Sequence, residues 1–323
     1  MSLKGKVVLV TGSTKGIGKA VIERVAADGA SVVINYSSDG APADEMVNKI
    51  GSDRALAIKA DVSSIPDIEK LIQATVDKFG KIDCVMANAA CAPMNDLEST
   101  TEEAFDKSFM LNVKGPYFLV QKAVPHMPRD GRVILVSTGI LHNSNVVPRY
   151  LLYAASKGPI EQMTRVMAKE LGAKHGITVN CIAPGPTATE MFFQGKSQEM
   201  IDTIAGVSPL NRLGTPQEIA EVAAFLAGPG SSWVSGQVIG ANGGIPSLAE
   251  PTLSRELPKG SEHRPETNTP LLKLPLDIMI QVWKNCHSHI DVKNLYSTCR
   301  TLYDMFKALG NIKRTKEMMW RCI

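Results

Sequence analysis

A run of four apolar residues, Val7-Val8-Leu9-Val10, leads into Thr11-Gly12-Ser13-Thr14-Lys15-Gly16-Ile17-Gly18, and an amphipathic helical pattern starts at once (Ile17, Ala20, Val21, Val25). Many strand-to-helix turns use glycine for its conformation alone, but here the glycines sit between an apolar strand and an amphipathic helix within a βαβ unit, the context of a phosphate-binding loop. Glycine lets the chain turn tightly and lets a phosphate approach the backbone, while the free N–H groups of the helix start supply donors for it. The same rhythm then repeats. Short β-branched runs at Ser31–Tyr36, Ala55–Ala60, Asp83–Asn88, Val133–Thr138, Thr178–Ile182 and Val238–Gly240 alternate with helical patterns. Strands apolar on both faces and separated by helices predict an α/β fold, a doubly wound parallel sheet of about seven strands. A phosphate-bearing ligand is expected at the end of the first strand.

The rhythm stops after Gly243-Gly244. Residues 248–273 carry Pro251, Pro258, Pro265 and Pro270, which deny the backbone a regular hydrogen-bonding pattern and read as a linker. Residues 274–323 are patterned as helices again, which predicts three parts: a domain over 1–247, the linker, and a small all-helical appendage. No apolar run is long enough to span a bilayer, and the six cysteines show no paired spacing, so a soluble, reduced, cytoplasmic setting is expected. The net charge is only +3, with no Lys/Arg-rich run, which argues against a nucleic-acid partner. Cys286-His287-Ser288-His289 lacks a fourth ligand at finger spacing, so no metal is expected.

The second strand ends Asn35-Tyr36-Ser37-Ser38, with no carboxylate before Asp39. An acidic residue there would accept hydrogen bonds from a ribose 2′-hydroxyl. Its absence, with Ser37 and the Lys15 cation nearby, suits a 2′-phosphate instead, and predicts NADP(H) over NAD(H). Further on, Tyr153-Ala154-Ala155-Ser156-Lys157 puts a phenol and an ammonium on one helical face. A free phenol titrates near ~10, so a neighbouring cation is expected to stabilise its phenolate and make Tyr153 a usable acid or base.

The Thr-Gly-x-x-x-Gly-x-Gly loop and the Tyr-x-x-x-Lys pair together resemble the short-chain dehydrogenase/reductase family, over about Lys4 to Ile245. The resemblance implies a Rossmann-type fold and a homodimer or homotetramer. It implies that Gly12, Thr14, Lys15, Gly16, Ile17 and Gly18 hold the cofactor with Ser37, Asp61-Val62, Asn88 and Pro184-Gly185-Pro186-Thr187, and that Lys157 holds the nicotinamide ribose. Asn112 matches the family's relay asparagine. Ala87 and Ala90 depart from its Asn-Asn-Ala-Gly element. The family's substrate-orienting serine aligns with Thr138, and Ser137 precedes it. Period-two alternation turns these two hydroxyls to opposite faces, so Thr138 takes the role, with Ser137 second. Residues 188–212 would form a substrate lid. The stretch from Tyr153 to Arg165 is similar to fungal polyketide-type ketoreductases, which implies NADPH-dependent reduction of a small-molecule ketone to a secondary alcohol. The tail, opening Leu274-Pro275-Leu276-Asp277-Ile278 and containing Cys299-Arg300, resembles an F-box. That implies a Skp-type adaptor as partner, with an unrelated helical appendage as the alternative. It also keeps open a ligase adaptor whose reductase-like domain binds a client or senses NADPH.

Overall fold

A computed structural model of the chain describes residues 2–143 and 146–245. The linker, the helical appendage with its F-box-like motif, and Cys286 to His289 lie outside the described residues. Seven strands form one fully parallel sheet: β1 (Val7–Val10), β2 (Ser31–Tyr36), β3 (Ala55–Lys59), β4 (Cys84–Ala87), β5 (Arg132–Val136), β6 (Thr178–Pro184) and β7 (Val238–Ala241). Their order across the sheet is β3-β2-β1-β4-β5-β6-β7. The chain therefore winds outward from β1 in one direction, then returns and winds the other way from β4. The crevice above β1 and β4 is the switch point where such sheets bind ligands.

Strict alternation explains why both faces are covered. In β1, Val8 and Val10 join one core with α1 (Gly16–Ala27) and Met46 of α2 (Ala41–Ile50), while Val7 and Leu9 join the other, with α3 (Ile65–Phe79). After α4 (Glu102–Phe109), the second layer continues with α5 (Gly115–Ala123) and α6 (Leu151–His175). Residues 188–212 hold α7 (Glu190–Phe193) and α8 (Gln198–Val207), and α9 (Pro216–Ala227) packs beside α1 in the first core.

Most of the expected strands hold to within one or two residues, and the ends differ for a physical reason. β5 stops at Val136 rather than Thr138, because Thr138 leaves the ladder to cap a 3-10 turn, Gly139–His142. Two features were not legible. Met110–Lys114 forms a π turn between α4 and α5, and α6 runs straight through Pro159. Pro159 has no N–H, so the Ala155 carbonyl loses its helical donor two residues before Lys157. Among the described residues no helix is long and apolar enough to cross a membrane, and no His/Cys/Asp/Glu group is arranged to hold a metal ion.

Candidate active site

The glycine loop is braced from beneath. Gly12 and Gly16 take positive φ values of 60° and 54°, a conformation that favours glycine. The Thr11 hydroxyl accepts the N–H groups of Asn88 and Ala89, both at 3.0 Å, and the Asn88 amide donates to the carbonyls of Thr11 (2.9 Å) and Gly12 (3.1 Å). β4 thereby grips β1 where the two diverge. From the other side, buried Asn35 accepts the Gly12 N–H at 3.1 Å and donates to the Ala60 carbonyl at 3.0 Å. Asn35 is a loop-fixing residue that the sequence pattern left unmarked, since an asparagine at a strand end reads as a turn former.

The donors at this end fit a nucleotide phosphate. Lys15 is the N-cap of α1 yet makes no side-chain cap bond, so the N–H groups of the first turn are not taken by it. Thr189 faces Gly16: a Cβ added to Gly16 would lie 3.3 Å from its methyl. A cleft of ≈ 320 Å³ opens there between Gly16, Lys19, Ala20, Thr189, Glu190 and Pro216. At the end of β2, Asp39 spends its carboxylate on the Ala41 N–H (3.0 Å), at the start of α2. Lys15 departs from expectation in one respect: its ammonium pairs with Glu190 of α7 at 3.0 Å, both side chains being exposed. The cation expected for a 2′-phosphate has a competitor.

The other cofactor positions divide. Thr187 is buried and donates to the Gly185 carbonyl at 2.9 Å, holding the turn after β6, where an added Cβ on Gly185 would strike Asn242. Pro184 ends β6. Ile17 packs on the first core, and Val62 is buried in the second. Asp61 is exposed and accepts the Ser63 N–H and hydroxyl, at 2.9 and 2.8 Å. Ser37 is exposed just beyond β2, and Thr14 is half-buried in the loop.

Along the crevice, α6 brings the phenol and the ammonium to the end of β5. The Tyr153 phenol faces the Thr138 hydroxyl, and Lys157 donates to the Val136 carbonyl at 2.7 Å. Ser137 turns the other way, to Glu161, so of the two hydroxyls only Thr138 meets the phenol. Asn112, fully buried in the π turn, accepts the Cys91 N–H (3.0 Å) and donates to the Cys91 carbonyl and the Ser156 hydroxyl, both at 2.9 Å. Ser156 in turn donates to the Tyr153 carbonyl at 2.8 Å. The asparagine side chain thus ties the loop after β4 to the first turns of α6.

One electrostatic expectation is corrected. Burial pushes the Tyr153 phenol up to about 12, opposed by the nearby Thr138 hydroxyl, and the Lys157 cation is not among the influences on it. Burial also pushes the Lys157 ammonium down to about 8. Both groups share a desolvated wall, and desolvation disfavours whichever form is charged, so it outweighs the pairing read from their spacing. The Tyr153 phenol is therefore neutral at physiological pH.

The comparisons agree with this geometry. Residues 12–246 match the family described as Enoyl-(Acyl carrier protein) reductase. A relative from Metarhizium anisopliae, "Hydroxynaphthalene reductase-like protein Arp2", is 42% identical over 257 residues, covering 75% of this chain and 96% of that one. "Short chain dehydrogenase mdpC" of Emericella nidulans is 40% identical over 256 residues, with the same coverage of 75% and 96%. The chain belongs to the short-chain dehydrogenase/reductase family. Like other members of this family it is an oxidoreductase built on a Rossmann-like sheet. Solved relatives include a blue fluorescent protein from a metagenomic library in complex with NADPH (32% identity, TM-score 0.72, covering 76% of this chain and 99% of that one). A short-chain dehydrogenase from Burkholderia cenocepacia in complex with NADP has 30% identity and a TM-score of 0.72, with the same coverage of 76% and 99%.

Proposed function

We propose that this short-chain dehydrogenase/reductase is an NADPH-dependent ketoreductase that converts a cyclic, polyketide-type ketone to a secondary alcohol. The observation that carries the reading is the approach of the Thr138 and Tyr153 side chains to each other, with Lys157 one helical turn away at the end of β5. Bound NADPH supplies hydride to the carbonyl carbon. Tyr153 and Thr138 hydrogen-bond the carbonyl oxygen, and as negative charge develops on that oxygen Tyr153 delivers its proton to it. Lys157 holds the nicotinamide ribose. Reprotonation of Tyr153 runs through Lys157 and solvent reached past Asn112. Gly12, Gly16, Gly18 and Lys15 receive the phosphates, Asn88 keeps the loop closed beside the nicotinamide, and Phe192 and Phe193 shape an apolar lid. The NADP-bound solved relatives and the fungal hydroxynaphthalene reductase-like relatives support the choice of cofactor and ketone class.

Purified full-length chain with bicyclic phenolic ketones is expected to oxidise NADPH at least about tenfold faster than NADH, given one charge-assisted phosphate contact. Turnover with NADH alone, or with neither nucleotide, sinks the reading.

The pH dependence has a defined sign. Lys157 carries its charge below about 8 and loses it above, rather than near the ordinary 10.5, while Tyr153 keeps its proton up to about 12. Ketone reduction needs both groups protonated. The plot of log kcat/KM, which reports groups of the enzyme before the ketone binds, is expected to be level on the neutral side and to fall tenfold per pH unit above about 8. A level profile to pH 10 would remove Lys157 from the reaction.

A further inference from the structure

Ser137 and Thr138 are adjacent, yet only one of them faces the reaction. Ser137, 2% exposed, donates to Glu161 Oε1 at 2.9 Å, and the same oxygen lies 3.0 Å from Nε2 of His142. Glu161 stands on α6 four residues after Lys157, hence one turn along the same face, and its side chain is 14% exposed. A carboxylate withdrawn this far from water is costly unless donors compensate, and here two do. One oxygen therefore joins the two ends of the segment 137–142 that carries Thr138. Within that segment the Thr138 hydroxyl is held by accepting the Ile140 N–H at 3.4 Å, a long bond. One turn earlier on α6, Lys157 fastens Val136. Helix α6 thus grips the strand end just before Thr138 and again on both sides of it, from the two successive turns next to Tyr153.

We propose that Glu161 is a positioning residue that acts through Ser137 and His142, keeping the Thr138 hydroxyl where it and Tyr153 reach one carbonyl oxygen. The inference rests on the ketoreductase reading of the site. It follows from a mechanical need: Thr138 sits on the turn after β5, Tyr153 sits on α6, and the hydroxyl–phenol contact survives only if those elements keep their register. A misplacement of a fraction of an ångström between converging groups lowers the rate without touching the cofactor contacts at the other end of the crevice.

The test is steady-state kinetics on the full chain. Glu161→Ala is expected to lower kcat about tenfold, while the NADPH dissociation constant stays within about twofold of wild type because the phosphate cradle is untouched. Glu161→Gln keeps an acceptor oxygen and is expected to recover most of the lost kcat. In a Thr138→Val background, Glu161→Ala is expected to cost nothing more, since its effect passes through Thr138. A role in stability alone would lower kcat equally in both backgrounds and would not be rescued by Gln. If Glu161→Ala fails to fold, His142→Ala, at a side chain 41% exposed, carries the same cycle with a several-fold loss. Wild-type kcat in the Ala variant, or losses that multiply in the Thr138→Val background, overturn the proposal. Absence of NADPH-dependent turnover in the wild-type chain overturns the ketoreductase reading and this inference with it. Turnover that is insensitive to Glu161 overturns the inference alone.

Discussion

Tyr153→Phe is expected to lower kcat for ketone reduction about 10³-fold, with NADPH affinity unchanged. General acid catalysis by a positioned group contributes ~10²–10⁴-fold, and the neutral, half-buried Tyr153 phenol is the acid that faces Thr138. The substitution removes one oxygen and no ring volume. Thr138 keeps the Ile140 N–H, and the Ser156 hydroxyl is bonded to the backbone carbonyl of residue 153, so neither loses its place. The loss should therefore fall on kcat rather than on folding. A thermal melt matching wild type, together with NADPH fluorescence titration, separates the two. A variant retaining more than about a tenth of wild-type kcat would show that another group delivers the proton.

Gly18→Ala is expected to raise the NADPH dissociation constant about 100-fold, equivalent to roughly 2.7 kcal/mol. A Cβ at Gly18 would lie 2.5 Å from the Gly12 carbonyl oxygen, 2.7 Å from the Asn88 amide nitrogen and 2.8 Å from the Ser13 Cα. Two of these atoms are backbone, and the third is already bonded to Thr11 and Gly12, so none moves cheaply. Overpacking of this kind costs about 1–3 kcal/mol, and relief is available mainly by pushing the phosphate loop outward, away from the ligand. Gly158→Ala on α6 is the control. An added methyl there meets nothing within 4 Å, and removing a mid-helix glycine is worth about 0.5–1 kcal/mol of stability. Equal cofactor binding by Gly18→Ala and wild type would mean that the loop is not the phosphate cradle.

The sheet was legible because its cause is local. Each strand is a short β-branched run flanked by helical periodicity, and burial on both faces forces such a run to be apolar throughout, as Val7 to Val10 are. The placement of Tyr153 beside Lys157 was legible from helical pitch, and the divergence of Ser137 from Thr138 from the two-residue period of a strand. What spacing could not convey was solvation. The charge on a lysine four residues from a tyrosine suggested an acidified phenol, yet burial raises Tyr153 and lowers Lys157. Desolvation depends on every element that closes over a group, and strand, turn and helix far apart in the chain meet around these two.

The same limit hid Asn35, Glu161 and the Lys15–Glu190 pair. Asn35 lies 23 residues from Gly12, Glu161 lies 24 from Ser137, and Glu190 lies 175 from Lys15. The family, the order of strand and helix, and the turning of Ser137 and Thr138 to different partners followed from the amino-acid order alone, because glycine conformation, helical pitch and strand alternation act within a few residues. The brace under the phosphate loop, the protonation of the acid and the grip of α6 on the Thr138 turn were decided only when distant segments packed, because hydrogen bonds and loss of water depend on neighbours in space.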